Sequence, residues 1–167
     1  MIILGIDTAL RTTGYGLIEV KNKTAKALDC GVIKNKQSEP HSECFRKITL
    51  GIEEIIARYN PDIASIEGTF FLKNAKTAMV LGMARGSVIC TLAKHNIPVY
   101  EYAPRKAKQV VTGSGAATKE QVATLLCSML SLDASSIPDD ATDALSLALC
   151  HQILLESQGG IHLKDPI

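Results

Sequence analysis

The chain has 167 residues, of which 46% are hydrophobic and 21% are charged. This length suits one domain whose core is large enough to fold without disulfides or structural zinc. The composition is typical of a globular protein rather than of a disordered or membrane-spanning chain. The formal net charge is only +1, so the total charge does not indicate a nucleic-acid partner, although a local basic face is compatible with it.

The cysteines and the N-terminal segment indicate the compartment. Five cysteines are scattered along the chain without a C-x-x-C pair, which argues against a disulfide framework and against a zinc site. The apolar run at residues 2–6 is too short for a signal-peptide core or a membrane span. We therefore expect a cytoplasmic protein that does not associate with membranes.

The first part of the chain predicts three strands and a helix. Residues 2–7 form a β-branched apolar run, and residues 14–20 and 25–34 have the pattern of two further strands joined by a polar turn. Such short connections favour an antiparallel meander. A helix that ends at Asn60-Pro61-Asp62 follows, because apolar residues recur at helical spacing: Phe45, Ile48, Ile52, Ile55, Ile56 and Tyr59.

Helices and strands alternate in the rest of the chain. We predict strands at 63–67 and 98–102 and helices at 75–95, about 104–112, 118–130 and 138–156. The order β-β-β-α-β-α-β-α-α-α predicts an α/β fold, a five-stranded mixed sheet with helices on both faces. We assign residues 1–156 to one domain. Residues 157–167, which are polar and contain Gly-Gly and Pro, are predicted to form a flexible C-terminal tail.

Acidic residues end two of the predicted strands. Asp7 follows the first buried strand, and Glu67 ends the strand at 63–67. An acidic group at the end of a buried strand is costly unless it is paired or bound to a cation. Taken alone, each residue is equally well explained as a capping or surface carboxylate.

More acidic residues open the last predicted helix behind Pro138. Pro and Asp at a helix start are ordinary signals that complement the helix dipole, which explains Asp139 and Asp140 better than Asp143. Asp140 and Asp143 are three residues apart and share one helix face. Asp139 points about 100° away from Asp140, so we assign it to capping or to an outer shell.

The four candidate ligands, Asp7, Glu67, Asp140 and Asp143, can converge only if the last helix packs beside the two strand ends. Together they would repel each other strongly without cations. Oxygen ligands of this kind suit Mg²⁺ or Mn²⁺, and two such ions about 4 Å apart can assist phosphodiester cleavage. The pattern therefore favours a divalent-metal site, with Mg²⁺ as the expected ion and Mn²⁺ as a substitute.

Several motifs, in order from residue 3 to about residue 150, resemble the RuvC family of Holliday-junction resolvases. The motifs are Gly5-Ile6-Asp7 with Thr13-Gly14-Tyr15-Gly16, Ile66-Glu67 with Phe70 and Lys73-Asn74-Ala75, Leu81-Gly82 with Ala84-Arg85-Gly86, Tyr102-Ala103-Pro104-Arg105 with Lys108-Gln109 and Gly113-x-Gly115, and Asp140-Ala141-Thr142-Asp143-Ala144-Leu145. One departure is Thr8-Ala9, where family members commonly carry Pro-Gly. It removes no candidate ligand.

The resemblance implies an RNase H-like fold and a homodimer that resolves four-way DNA junctions in recombination and repair. Its two sites would nick opposing strands symmetrically through a metal-activated water, with no covalent enzyme intermediate. A two-fold dimer suits a substrate with two equivalent strands. The small-residue helix at 75–95 is a candidate for the dimer contact, with core packing as the alternative. The family also acts with the junction-binding protein RuvA and the motor RuvB.

The resemblance further indicates residues that bind DNA. Phe70 resembles the family residue that stacks on unpaired bases at the junction. The basic candidates are Lys73, Arg85, Arg105, Lys108 and Lys119, of which Lys108 and Lys119 fall on basic positions of the family pattern. Phosphate neutralisation by such groups would make binding depend on salt. Solvated surface charge is the alternative for each of them.

Two other functions are compatible with parts of the pattern. The opening GIDTALRTTGYG also resembles the phosphate-binding hairpin of actin-like ATPases and phosphotransferases, which need a second lobe that we do not expect here. A non-catalytic junction-binding module is the second alternative. The presence of all four carboxylates argues against it.

Overall fold

A computed structural model describes residues 1–68, 74–133, 137–157 and 165–167. The sheet contains five strands: β1 (Ile2–Asp7), β2 (Thr12–Lys21), β3 (Thr24–Lys34), β4 (Ile63–Glu67) and β5 (Val99–Tyr102). The described helices are α1 (His41–Tyr59), α2 (Ala75–Lys94), α3 (Pro104–Thr112), α4 (Lys119–Leu130) and α5 (Asp139–Glu156). This order of elements is the predicted one.

The strands lie in the order β3-β2-β1-β4-β5. β1 pairs antiparallel with β2, and β2 pairs antiparallel with β3, which confirms the predicted meander. β1 pairs in parallel with β4, and β4 in parallel with β5. The sheet is therefore mixed, and the carboxyl ends of β1, β4 and β5 lie at one edge.

The two faces of the sheet carry separate hydrophobic cores. Alternation along β1 sends Leu4 and Ile6 into one core with α1 and α2, and Ile3 into the other with α3, α4 and α5. The central strands are buried on both faces, which explains their nearly continuous apolar sequence. The prediction of helices on both faces is confirmed.

Helix α5 packs directly on β1 and β2, and two glycines of these strands permit its close approach. A Cβ atom added to Gly5 would lie 1.9 Å from the Ala144 carbonyl oxygen, and one added to Gly14 would lie 1.9 Å from that of Asp140. The residues from Ala144 to Gln152 are all buried. The helix that begins with three aspartates is therefore held against the strand that ends in Asp7.

The end of the chain is described only in part. The backbone N–H of Ile167 donates to the Val99 carbonyl oxygen at 2.9 Å, so this residue lies against β5. Residues 158–164 lie outside the described ranges, and the division into a domain and a flexible tail stays a prediction.

No helix among the described residues is long and apolar enough to cross a membrane. All five cysteines are free, as expected for a chain without a disulfide framework.

Candidate active site

The strand register brings Asp7 and Glu67 side by side. Ile6 of β1 is the partner of Ile66 of β4, so the next residue of each strand lies at the same edge of the sheet. Both side chains point to the face covered by α5, since Ile6 and Ile66 point to the opposite core. Glu67 is in turn the register partner of Tyr102 in β5.

The electrostatics of Asp7 shows which other carboxylates are near. Burial, and then the charges of Glu67, Asp143 and Asp140, raise the pKa of Asp7 from 3.8 to about 7. Burial and the charge of Asp143 also raise the pKa of Glu67. The two strand-end carboxylates are therefore desolvated and lie near the negative charge at the start of α5, so ionisation of both is unfavourable without a cation.

A cavity of about 300 Å³ opens among these carboxylates. It is lined by Asp7, Glu67, Pro104, Ala107, Lys108, Lys119, Val122, Asp143, Ser146 and Leu147. Asp140 does not line it, although its charge acts on Asp7. The structure thus brings Asp7, Glu67 and Asp143 around one space and leaves Asp140 at its margin.

The carboxylates are near one another without forming a finished ligand shell. Within the described ranges, no three Asp, Glu, His or Cys side chains are arranged to hold a metal ion. One of the carboxylates, Asp143, already accepts a hydrogen bond from Lys119 Nζ at 2.8 Å. The donor set still fits a hard divalent cation, since carboxylate oxygens line the cavity and a cation would relieve the repulsion that raises the pKa of Asp7.

Asp139 differs from Asp140 in the way that helical geometry predicts. Asp139 is exposed, and Asp140 is half-buried. The charge of Asp139 acts on Lys119 and is not among the causes that shift the pKa of Asp7. Asp139 therefore stands outside the carboxylate group.

The predicted DNA-binding residues divide into three groups. Lys108 and Lys119 line the cavity beside the carboxylates, and Arg105 is exposed at the start of α3. The contacts of these three residues with DNA stay predictions. Phe70 and Lys73 lie outside the described residues, and their roles stay predictions.

Arg85 forms the third group, and its side chain makes contacts within the chain. Its guanidinium pairs with the carboxylate of Glu101, and its Nε donates to the Glu67 carbonyl oxygen at 3.4 Å. The side chain is only 16% exposed. Arg85 thus ties α2 to the carboxyl ends of β4 and β5, and its predicted contact with DNA stays a prediction.

Sequence reasoning also missed a buried pair behind the site. The Tyr102 hydroxyl and His151 Nδ1 are hydrogen-bonded at 2.7 Å, and His151 has no exposed surface. Burial lowers the pKa of His151 to about 4, so this histidine is neutral. The available signal is a histidine within the apolar run of α5.

The comparisons with known proteins show the family of this chain. The family model for the crossover junction endodeoxyribonuclease RuvC matches residues 3–151. A RuvC of Natranaerobius thermophilus is 40% identical over 151 residues, covering 90% of this chain and 94% of the relative. A RuvC of Caldicellulosiruptor saccharolyticus is 40% identical over 168 residues, covering 100% of both chains.

Solved structures show the same fold. Thermus thermophilus RuvC in complex with a Holliday junction substrate superposes with a TM-score of 0.90 at 30% identity, covering 100% of this chain and 99% of that one. The yeast mitochondrial Holliday junction resolvase Ydc2 superposes with a TM-score of 0.67 at 12% identity over 90% of this chain and 77% of that one, which shows the fold alone.

Fold and site together define a nuclease of the RNase H-like class. The chain belongs to the RuvC family of crossover junction endodeoxyribonucleases. The predicted resemblance and the predicted fold class are confirmed, and the family match decides against the actin-like alternative.

Proposed function

We propose that this chain is a structure-selective endodeoxyribonuclease that resolves four-way DNA junctions by paired symmetric nicks, with Mg²⁺ as its metal and Mn²⁺ as a substitute. The observation that carries the proposal is the half-buried Asp7, which lines an open cavity with Glu67 and Asp143 and whose pKa is raised to about 7 by desolvation and by three other carboxylates. The names of the relatives supply the substrate class.

Asp7, Glu67 and Asp143 would hold the metal, with Asp140 joining from the margin of the cavity. When bound, a divalent cation would offset the repulsion among the carboxylates and supply the Lewis acidity that phosphodiester hydrolysis needs. Lys108 and Lys119 would bind the phosphates of the strand to be cut. Apolar side chains such as Val122 and Leu147 form the wall of the cavity, which strengthens these electrostatic contacts.

Asp7→Asn tests the assignment. Asparagine has nearly the same shape but lacks the charge, so we expect cleavage of a labelled junction in Mg²⁺ to fall by at least about a hundredfold, while junction binding is retained. Asp139→Asn removes an exposed neighbouring charge outside the carboxylate group and should cut at the wild-type rate. Near wild-type cleavage by Asp7→Asn would show that the assignment is wrong.

The substrate is tested by Mg²⁺ and Mn²⁺ titrations with a labelled four-way junction beside a linear duplex of matched sequence. We expect symmetric nicks in the junction only. Equal cutting of both substrates would contradict structure selectivity.

We also propose a homodimer formed through α2. Its outward face carries two exposed methionines, Met79 (63% exposed) and Met83 (51% exposed). Gly82 and Gly86 lie on the same face, and a Cβ atom added to either of them would meet no atom within 4 Å beyond the neighbouring residues and backbone of its own helix. Such a face permits close approach of a second helix. Action with RuvA and RuvB and a cytoplasmic location stay predictions.

A further inference from the structure

Lys119 is held in a defined position beside the carboxylates. It is the first residue of α4, whose start is stabilised by a capping box in which the Thr118 and Gln121 side chains each bind the other's backbone N–H. From this position Lys119 Nζ donates to Asp143 Oδ2 at 2.8 Å. The ammonium group therefore lies directly on one of the four proposed metal ligands.

Lys119 also affects the rest of the site. It lines the cavity of about 300 Å³ together with Asp7, Glu67 and Asp143, and it lines a smaller one of about 160 Å³ together with Asp139. Its positive charge acts on both strand-end carboxylates in the direction opposite to burial. In the DNA-free protein, Lys119 is thus a cation supplied by the chain itself.

The ion pair is suited to exchange. The Lys119 side chain is 65% exposed and that of Asp143 35% exposed, and ion pairs with this much solvent contact are weak. A DNA phosphate entering the cavity would offer the ammonium another anionic oxygen. Lysine suits such an exchange because its charge is compact and its stem flexible.

We propose that Lys119 serves as an internal counter-ion on Asp143, which an incoming DNA phosphate displaces, so that full metal binding follows substrate binding. The proposal rests on the proposed function and concerns the regulation of that site. The ammonium and a divalent cation compete for the same carboxylate. A phosphate that binds Lys119 therefore increases the affinity of the site for the metal. By linkage, the bound metal increases the affinity for the phosphate by the same factor.

The first test measures Mn²⁺ binding to the DNA-free protein by titration calorimetry. Lys119→Met keeps the length of the side chain but frees Asp143, so we expect Mn²⁺ to bind about threefold to tenfold more tightly. Lys108→Met is the matched control, because Lys108 lines the same cavity but donates to the Ala117 carbonyl oxygen at 3.4 Å rather than to a carboxylate. The control should change the affinity by less than about twofold.

The second test measures junction binding in EDTA, where no metal acts and nothing is cut. Asp143→Asn removes the ion pair and leaves Lys119 free to bind a phosphate, so it should tighten junction binding. The gain in affinity should be about threefold larger in the protein that has Lys119 than in the Lys119→Met background. Asp7→Asn removes a charge from the same cavity that acts on Lys119 without a hydrogen bond to it, so its effects in the two backgrounds should differ less than those of Asp143→Asn. Thermal unfolding confirms that each variant is folded.

The outcomes separate the two proposals. If the wild-type protein does not bind Mn²⁺, or does not bind the junction, the proposed function is wrong, and the counter-ion role with it. If the wild-type protein binds both, equal Mn²⁺ affinities for wild type and Lys119→Met, or equal effects of Asp143→Asn in both backgrounds, would overturn the counter-ion role alone.

Discussion

Asp7 lies in surroundings that disfavour its negative charge. Because its pKa is raised from 3.8 to about 7, the folded metal-free protein binds a proton more tightly here than the unfolded chain does. The sign follows from linkage: the contribution of Asp7 to the free energy of unfolding is greatest below pH 4, falls as the pH rises towards 7, and stays reduced above it. Between the two limits of pH, the contribution of Asp7 to the free energy of unfolding changes by at most about 4 kcal/mol.

Asp7→Asn should therefore stabilise the metal-free protein at pH 8 and have little effect near pH 4. The measurement is the free energy of unfolding in denaturant with EDTA at both pH values. We expect a gain of roughly 2–4 kcal/mol at pH 8. The same variant should lose the stabilisation that added Mg²⁺ confers on the wild type. An equal gain at both pH values would show that the burial of charge is not the cause.

Arg85 and Lys119 show that the charge of a residue does not reveal its role. Both are basic and adjacent to matched motifs, and both were predicted to bind DNA. Arg85 is 16% exposed and paired with Glu101, whereas the Lys119 side chain is 65% exposed. Only the tertiary structure separates a cation that holds two strand ends from one that can reach a ligand.

At the scale of elements, the position of α5 depends on the glycines beneath it. A Cβ on Gly14 would lie 1.9 Å from the Asp140 carbonyl oxygen of α5, whereas a Cβ on Gly16 would lie 2.5 Å from the Leu145 side chain and 2.8 Å from the Leu145 backbone nitrogen. Both substitutions press on the backbone of α5, but the approach is closer at Gly14, so the helix must shift further there. The two positions therefore form a matched pair on one strand.

Gly14→Ala should displace α5 and with it Asp140 and Asp143. We expect a loss of about 3 kcal/mol or more in the free energy of unfolding, together with a large loss of cleavage. Gly16→Ala should cost less, about 1–3 kcal/mol, and retain more activity. Denaturant unfolding and junction cleavage measure both effects. A larger loss for Gly16→Ala would contradict the close approach of α5 at Gly14.

The outward face of α2 decides the oligomeric state in our proposal. Met83→Glu would bury a carboxylate in the dimer contact, so sedimentation should show a monomer at concentrations where the wild type is a dimer. Met129→Glu, at a 44% exposed methionine of α4, should leave the dimer intact. If Met129→Glu is a monomer and Met83→Glu is a dimer, the dimer contact lies on α4 and not on α2.

At the scale of the whole molecule, the fold couples metal binding to pH. A proton and a divalent cation compete for Asp7, whose pKa in the metal-free protein is about 7. At low Mg²⁺, cleavage should therefore fall as the pH decreases below 7, approaching about tenfold per pH unit. Raising the Mg²⁺ concentration should move this decline to lower pH. If the decline in cleavage does not depend on the Mg²⁺ concentration, a titratable group other than Asp7 causes it.

Much of the fold was predictable because its signals are local. The order of all the described helices and strands follows from apolar periodicity and from turn residues, such as Asn60, whose φ is 46° at the end of α1. The observed ends of some strands and helices differ from the predicted ends by a few residues. β2 starts at Thr12 rather than residue 14, because Thr12 and Thr13 still pair with Lys34 and Ile33 of β3.

The sequence by itself determined the family, the order of the elements and the acidic residues at the ends of β1 and β4 and at the start of α5. What only the tertiary structure decided is how these groups meet. Asp7, Glu67 and Asp143 line one cavity, Asp140 lies at its margin, and Lys119 rests on Asp143. The reason is physical: helical and strand periods place side chains within one element. The distances between elements, however, depend on packing, here on glycines in β1 and β2 that let α5 approach the sheet.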